Sequence, residues 1–396
     1  MRRPAAFLRS PDGLRLTRFR RRSGGAELRL GTTALLLMAA ASALISHRAM
    51  GTVVTRDVVP LSAATGMIAR PMEAGPVWVA QAAWGPGEQQ VVVADPGSGA
   101  IYLYDLEGRI ARKIVRPGQG RLEFRKPAYP FLVNGKLLVG SHFFHWIWLD
   151  AALEPVDSFH LEWPAGDGSP YRQLWLYSFD AGRSSFVGVG EAQDHDGVWS
   201  ETAVFEAPFA TSEGVVTNLG TLAVDSEESS ALHDKPGKIA ACGDEVYVLR
   251  YGVSLSIEAF GKSRRTLTSF PAEYRQRPAL PPMERREDVE ARAAAVRTSK
   301  MADGLFCLDE RWLLLLAHEP IGDGSIRWRV FPIDPAADVL GDPIELPTRA
   351  TSIVFVPGSR RWAVLEKGPM KQVGLQPLVR MVVFPTPRFD GDSRRP

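Results

Sequence analysis

The sequence predicts an all-β fold: a six-bladed β-propeller of four-stranded blades, closed by an N-terminal strand and preceded by one hydrophobic helix. Three observations carry this. Beyond residue 50 the apolar residues follow a period of two, and amphipathic helical stripes are nearly absent. Six strongly apolar runs recur: VVVAD (91–95), LLVGS (137–141), FVGVGE (186–191), VYVLR (246–250), LLLLAH (313–318) and WAVLEK (362–367). Their starts lie 46, 49, 60, 67 and 49 residues apart, a spacing that suits one propeller blade per unit. Each run also has the same surroundings. A strand and a tight turn come before it, and a polar loop and an alternating strand come after it: AIYLYD, HWIWLD, VWSETAVF, SLSIEAF, IRWRVFP and LVRMVVF.

The last unit stops after its third strand, at Phe384. The alternating stretch TVVTRDVVPL (52–61) belongs to no unit, so it is expected to supply the missing outer strand and to remove an exposed edge. The propeller is thus expected over 52–387, with a disordered tail at 388–396.

The preceding residues read differently. Residues 1–29 form a basic, cytoplasmic n-region; residues 1–50 hold ten Arg, no Lys and two acids. LGTTALLLMAAASALIS (30–46) is uncharged and long enough for a membrane anchor, with a cleaved signal at Ala41-Ser42-Ala43 as the alternative. The Arg excess before this segment places the remainder outside the cytoplasm. The expected location is therefore the cytoplasmic membrane, with a periplasmic C-terminal domain, or secretion if the signal is cleaved. Residues 51–396 carry 37 basic and 43 acidic side chains, a net of −6. That balance argues against nucleic acid as a partner.

Residues 89–130 resemble the repeat of bacterial six-bladed, NHL-repeat-like β-propellers. In that family a strand, Asp-x-x-Gly, a second strand and a Gly-x-Gly loop with an acid and an aromatic residue follow one another; here they are YDLEG, RKIVRPGQG and LEF. The resemblance implies a propeller and, because many members are exported or lipid-anchored, a place outside the cytoplasm. It implies no particular ligand.

Cys242-Gly243-Asp244-Glu245 and Cys307-Leu308-Asp309-Glu310 occupy equivalent places in successive units. Both cysteines are expected as small buried side chains at the ends of inner strands. A disulfide is disfavoured, because equivalent positions in neighbouring blades are expected beyond the roughly 7 Å limit between Cα atoms. One helix is expected in the insertion at 281–300, where Val289, Ala293 and Val296 share a face.

Loops after the second strands open on one face of a propeller. Their leading residues, Asp95, His142, Glu191, Arg250, His318 and Glu366, are candidates for the channel mouth, with Arg125 and Lys300 just before first strands. Such a mixed ring suits a small polar or anionic ligand. Asp194-His195-Asp196-Gly197 reads as a hairpin tip. No nucleophile elbow, zinc-binding helix or phosphate loop appears, and no metal or cofactor is expected. The favoured function is a non-catalytic binding or scaffold propeller for a protein or small polar ligand. The alternative is an exported, calcium-dependent hydrolase of lactonase type. Such enzymes hold calcium with Glu, Asp and Asn side chains, and this chain has only two Asn, Asn134 and Asn218.

Overall fold

The second strand of each unit is apolar at consecutive positions because both of its faces are covered. Val91 and Val93 pack with side chains of blade six, whereas Val92 between them packs with blade two. Leu313, Leu315 and Ala317 pack against blade four, and Leu314 and Leu316 against blade six. A strand sandwiched between two neighbouring sheets has no polar face to keep, so its alternation disappears.

The computed structural model describes residues 59–60 and 66–389, apart from loop stretches of which 161–172, 210–216, 223–237 and 277–294 are the longest. Two N-terminal strands, β1 (Val59–Pro60) and β2 (Ile68–Pro71), precede the blades. Blade one comprises β3 (Ala82–Trp84), β4 (Gln90–Asp95), β5 (Ala100–Asp105) and β6 (Ile110–Val115). Blade two comprises β7 (Pro127–Val133), β8 (Lys136–Ser141), β9 (His145–Leu149) and β10 (Pro155–His160). Blade three has β11 (Gln173–Ala181), β12 (Ser185–Gln193), β13 (Ala203–Pro208) and β14 (Thr217–Thr221). Blade four has β15 (Lys238–Cys242), β16 (Glu245–Arg250), β17 (Ser256–Phe260) and β18 (Arg265–Thr266). In blade five, β19 (Met301–Leu308), β20 (Trp312–Pro320) and β21 (Ile326–Asp334) are edged by β22 (Val339–Leu340) and β23 (Ile344–Glu345). Blade six contributes β24 (Ile353–Val356), β25 (Arg361–Lys367) and β26 (Leu378–Pro385), with β2 on its outer edge. Within each blade, successive strands pair antiparallel.

The apolar interior is six seams rather than one core, one between each pair of neighbouring blades. The seam of blades six and one contains Leu365, Met381 and Val383 together with Val91, Val93 and Tyr104, which completes the circle. On the face bearing the first hairpin turns, Glu88 of blade one accepts backbone N–H bonds from Ser359 (2.7 Å), Arg360 (3.0 Å) and Arg361 (2.9 Å) of blade six.

Three expectations are corrected. The strand that pairs with β26 is Ile68–Pro71, with Ile68 opposite Val383 and Pro71 opposite Arg380, and not 52–61. Most of 52–61 lies outside the described residues, and its end, β1, pairs parallel with β23 of blade five. The cysteines are bonded: Cys242 and Cys307 form a disulfide with Cα atoms 5.3 Å apart. Blades converge toward the axis, so β15 and β19, both innermost, run side by side there, and the distance expected further out does not apply. The C-terminal residues pack further than expected. Phe389 is buried in the seam of blades five and six, its ring 5.1 Å from that of Trp312 and 6.1 Å from that of Trp362.

The segments 1–29 and 30–46 lie outside the described residues, as does 281–300 apart from Ala295 and 298–300. Among the described residues no helix is long and apolar enough to cross a membrane.

Candidate functional site: the central channel

The six inner strands surround a cavity of about 550 Å3. Its exposed lining is more polar than apolar, with Trp84, Tyr129, Phe179, Phe306 and Phe355 among the residues that border it. Six charged residues contribute to it: Glu88 and Asp309 at the end bearing the first hairpin turns, and Asp180, Lys238, Asp303 and Lys367 from four blades.

Asp180 lies near the end of β11, and its carboxylate accepts the backbone N–H of Ala241 in blade four at 2.8 Å. Burial pushes its pKa up to about 7, against the pull of the N–H groups of Ala241 and Ala181. Lys367 ends β25, and its Nζ donates to the carbonyl of Val79 at 2.7 Å. Burial pushes its pKa down to about 8; Asp303 opposes that shift and Lys238 adds to it. Two of these positions rest on local irregularities in pairing. Asp303 sits at the bulge between Ala302 and Gly304, and Lys367 follows the register slip after Glu366.

The linkage for Asp180 has a definite sign. Its folded-state pKa lies above the unfolded value, so the folded chain holds a proton that the unfolded chain has released. That contribution to stability is full below about pH 4 and is lost as pH rises through 7. In Asp180→Asn, Oδ1 can still accept from Ala241 while no charge forms. Relative to wild type, the variant is expected to gain stability between pH 4.5 and pH 8. At about 1.4 kcal/mol per pH unit the gain is at most a few kcal/mol. Urea midpoints at the two pH values measure it, and an equal difference at both would refute the assignment.

The residues expected at the channel mouth have the following surroundings. Asp95 is buried at the end of β4, where Oδ1 accepts the N–H of Gly97 at 2.9 Å and shapes the turn into β5. Glu191 lies in β12 opposite Trp175. Arg250 pairs with the buried Glu258 at 3.1 Å, and Arg264 takes the other oxygen at 2.6 Å. His318 is buried with its ring 5.2 Å from that of Trp328. Glu366 accepts from Thr348 at 2.8 Å and from Arg380 at 3.2 Å. Lys300 lies 3.7 Å from Glu319. Arg125 and His142 lie outside the described residues. None of the six described residues faces the channel. Second-strand side chains alternate between the two faces of a blade, and both faces are seams. The channel is lined from the inner strands, where the available signal was a lone charge in an apolar run: Asp180 in SFDAG, Lys238 in KIAAC and Asp303 in MADGLF. The 194–197 tip is a turn, with Asp194 Oδ1 accepting the N–H of Val198 at 2.8 Å.

Among the described residues no three His, Cys, Asp or Glu side chains gather closely enough to hold a metal ion.

No family model matches the chain, and no curated protein matches it in sequence. Among solved structures it is similar to a gluconolactonase from Xanthomonas campestris (15% identity, TM-score 0.45, covering 82% of this chain and 92% of that one). It is similar also to a member of the duf4221 family from Bacteroides vulgatus (10%, 0.47, 82% and 98%). A third similar structure is a calcium-binding protein, regucalcin, from Agrobacterium tumefaciens (13%, 0.40, 81% and 94%).

Proposed function

We propose that this is a binding propeller outside the cytoplasm that takes a small polar ligand into its central channel. The observation that carries the reading is the channel itself: about 550 Å3, bordered by aromatic side chains but with a mainly polar lining, in which charged groups converge from different blades. Asp180 and Lys367 are both charged at a cost there, because burial opposes their ionised forms. A ligand carrying an anionic group toward Lys367, or a cationic group toward Asp180, offsets that cost; an empty, water-filled channel does not. The disulfide supports the location, since such bonds persist in oxidising compartments. The basic n-region and the apolar run at 30–46 are the features that would hold the domain at the membrane.

Trp84 borders the cavity from the seam of blades six and one, so intrinsic fluorescence offers a readout. Titration of the folded domain with short mono- and dicarboxylates, primary amines and amino acids is expected to find a ligand that changes it. Lys367→Met is then expected to weaken carboxylate binding about tenfold or more, and Asp180→Asn to weaken amine binding similarly. Binding that survives both substitutions, or no binding across the panel, would overturn the channel reading. Calcium belongs in the same titration: a calcium-dependent rise in the thermal midpoint, reversed by EDTA, would favour the lactonase-type hydrolase instead.

A further inference from the structure

A second cluster lies at the top of the seam between blades four and five, away from the channel wall. Glu319, near the end of β20, is shared by three cations: Arg327 Nη1 at 3.4 Å, Arg329 Nη1 at 3.5 Å and Lys300 Nζ at 3.7 Å. Glu345 on β23 takes Arg349 Nη2 at 2.5 Å and stands 3.5 Å from Arg327 Nε. Among the described residues, four cations therefore face two carboxylates. A third acid, the exposed Glu273, acts on the neighbouring Tyr274 only as its weakest influence. Contacts of 3.4–3.7 Å are longer than the roughly 2.7–2.9 Å of a good charge-assisted hydrogen bond. Only Arg349 is tightly held.

A second, independent observation falls in the same place. Arg327 Nε, Arg329 Nε and the Tyr274 hydroxyl are all buried donors without a well-placed acceptor: Glu345 stands 3.5 Å from Arg327 Nε, and Arg329, beside Tyr274, can only donate to its oxygen. Tyr274 is fully buried, stands beside Arg329, and has the Lys300 ammonium 4.7 Å above its ring. Burial pushes the hydroxyl pKa up to about 12, so it stays protonated and able to donate. A buried polar group left unpaired costs on the order of 1–3 kcal/mol, and native structures hold few. All three orphans are donors, and the spot has an excess of positive charge. Both facts call for one acceptor-rich anion.

We propose that a small oxyanion of phosphate or sulfate type binds between Tyr274, Arg327 and Arg329, with Lys300 at its outer side. Planar guanidinium groups suit such an anion because they can offer two parallel N–H donors to its oxygens. The site is separate from the channel, because none of its residues lines that cavity.

The decisive variant is Tyr274→Phe, which removes one oxygen and keeps the packing. In chloride buffer it is expected to be at least as stable as wild type, since a buried hydroxyl without a partner is lost. In 10 mM inorganic phosphate at equal ionic strength that order is expected to reverse. Wild type gains a few degrees in thermal midpoint and Tyr274→Phe gains less. Calorimetric titration with phosphate is expected to show about three- to tenfold weaker binding to Tyr274→Phe and none to Arg329→Gln. Phosphate and sulfate also stabilise proteins by exclusion from their surfaces, an effect that every variant shares. Equal gains in wild type and Tyr274→Phe, or no heat of phosphate binding to wild type, would overturn the site. If Arg329→Gln does not fold, the Tyr274→Phe comparison decides alone.

Discussion

Gly108→Ala is expected to lower stability by about 2–4 kcal/mol. Gly108 has φ +80°, a region that disfavours side chains, and an added Cβ would collide with the carbonyl oxygen of Pro71. The collision matters because of what meets there. The turn between β5 and β6 is tied by Asp105, whose Oδ1 accepts the N–H groups of Glu107 (3.0 Å) and Arg109 (2.9 Å). The chain leaving β2 lies across this turn: Glu73 N–H donates to Gly108 at 2.8 Å, and Glu73 Oε2 accepts from Ile110 at 2.8 Å. A displaced turn therefore loosens the residues that join β2 to blade one. Gly135→Ala is the control. Gly135 also has positive φ, at +74°, but nothing lies within 4 Å of an added Cβ, so only the backbone cost of about 1 kcal/mol remains. Equal losses in the two variants would show that the contact with Pro71 contributes nothing.

Removing the disulfide is expected to cost about 2–4 kcal/mol. The bond closes a loop of 65 residues, and the chain-entropy estimate for a loop of that length is about 4 kcal/mol, an upper figure for the double variant Cys242→Ala/Cys307→Ala. For a domain of this size that is a midpoint lower by roughly 3–6 °C. Calorimetry with and without a reductant measures it. A reduced wild type as stable as the oxidised one would mean that the packing of β15 beside β19 already holds the seam.

Much of the architecture was legible because the propeller imposes a strong pattern. A second strand covered on both faces must be apolar throughout, and LLLL at 313–316 or VVVA at 91–94 says so directly. The outer strand of blade six was not legible. TVVTRDVVPL, with four Val and two Thr, looks more like a strand than Ile68–Pro71, whose one β-branched residue is Ile68, yet the latter pairs with β26. Its conformation comes from the open sheet edge, a tertiary cause that local propensity does not report. The cysteines were misjudged for a geometric reason, since the sequence shows equivalence between blades but not how closely they approach near the axis. The channel charges were missed because attention went to the loops. Lys367 makes the point: the expected residue was Glu366, one place earlier, and the register slip between them brings the ammonium to the cavity while Glu366 turns to Thr348 and Arg380.

The pairing of Ile68 with Val383 also fixes an order of events. A chain made from its N terminus exposes β2 early and must wait for almost all of the remaining residues before its partner exists. Blades one to five can form sheets as they emerge, but the circle closes only after β26 has been made. Until then the first and last seams are half-built, with Val91, Tyr104 and Leu365 lacking the side chains they later pack against. Loop-closure entropy grows only slowly with length, so the wait affects the rate of folding more than the final stability.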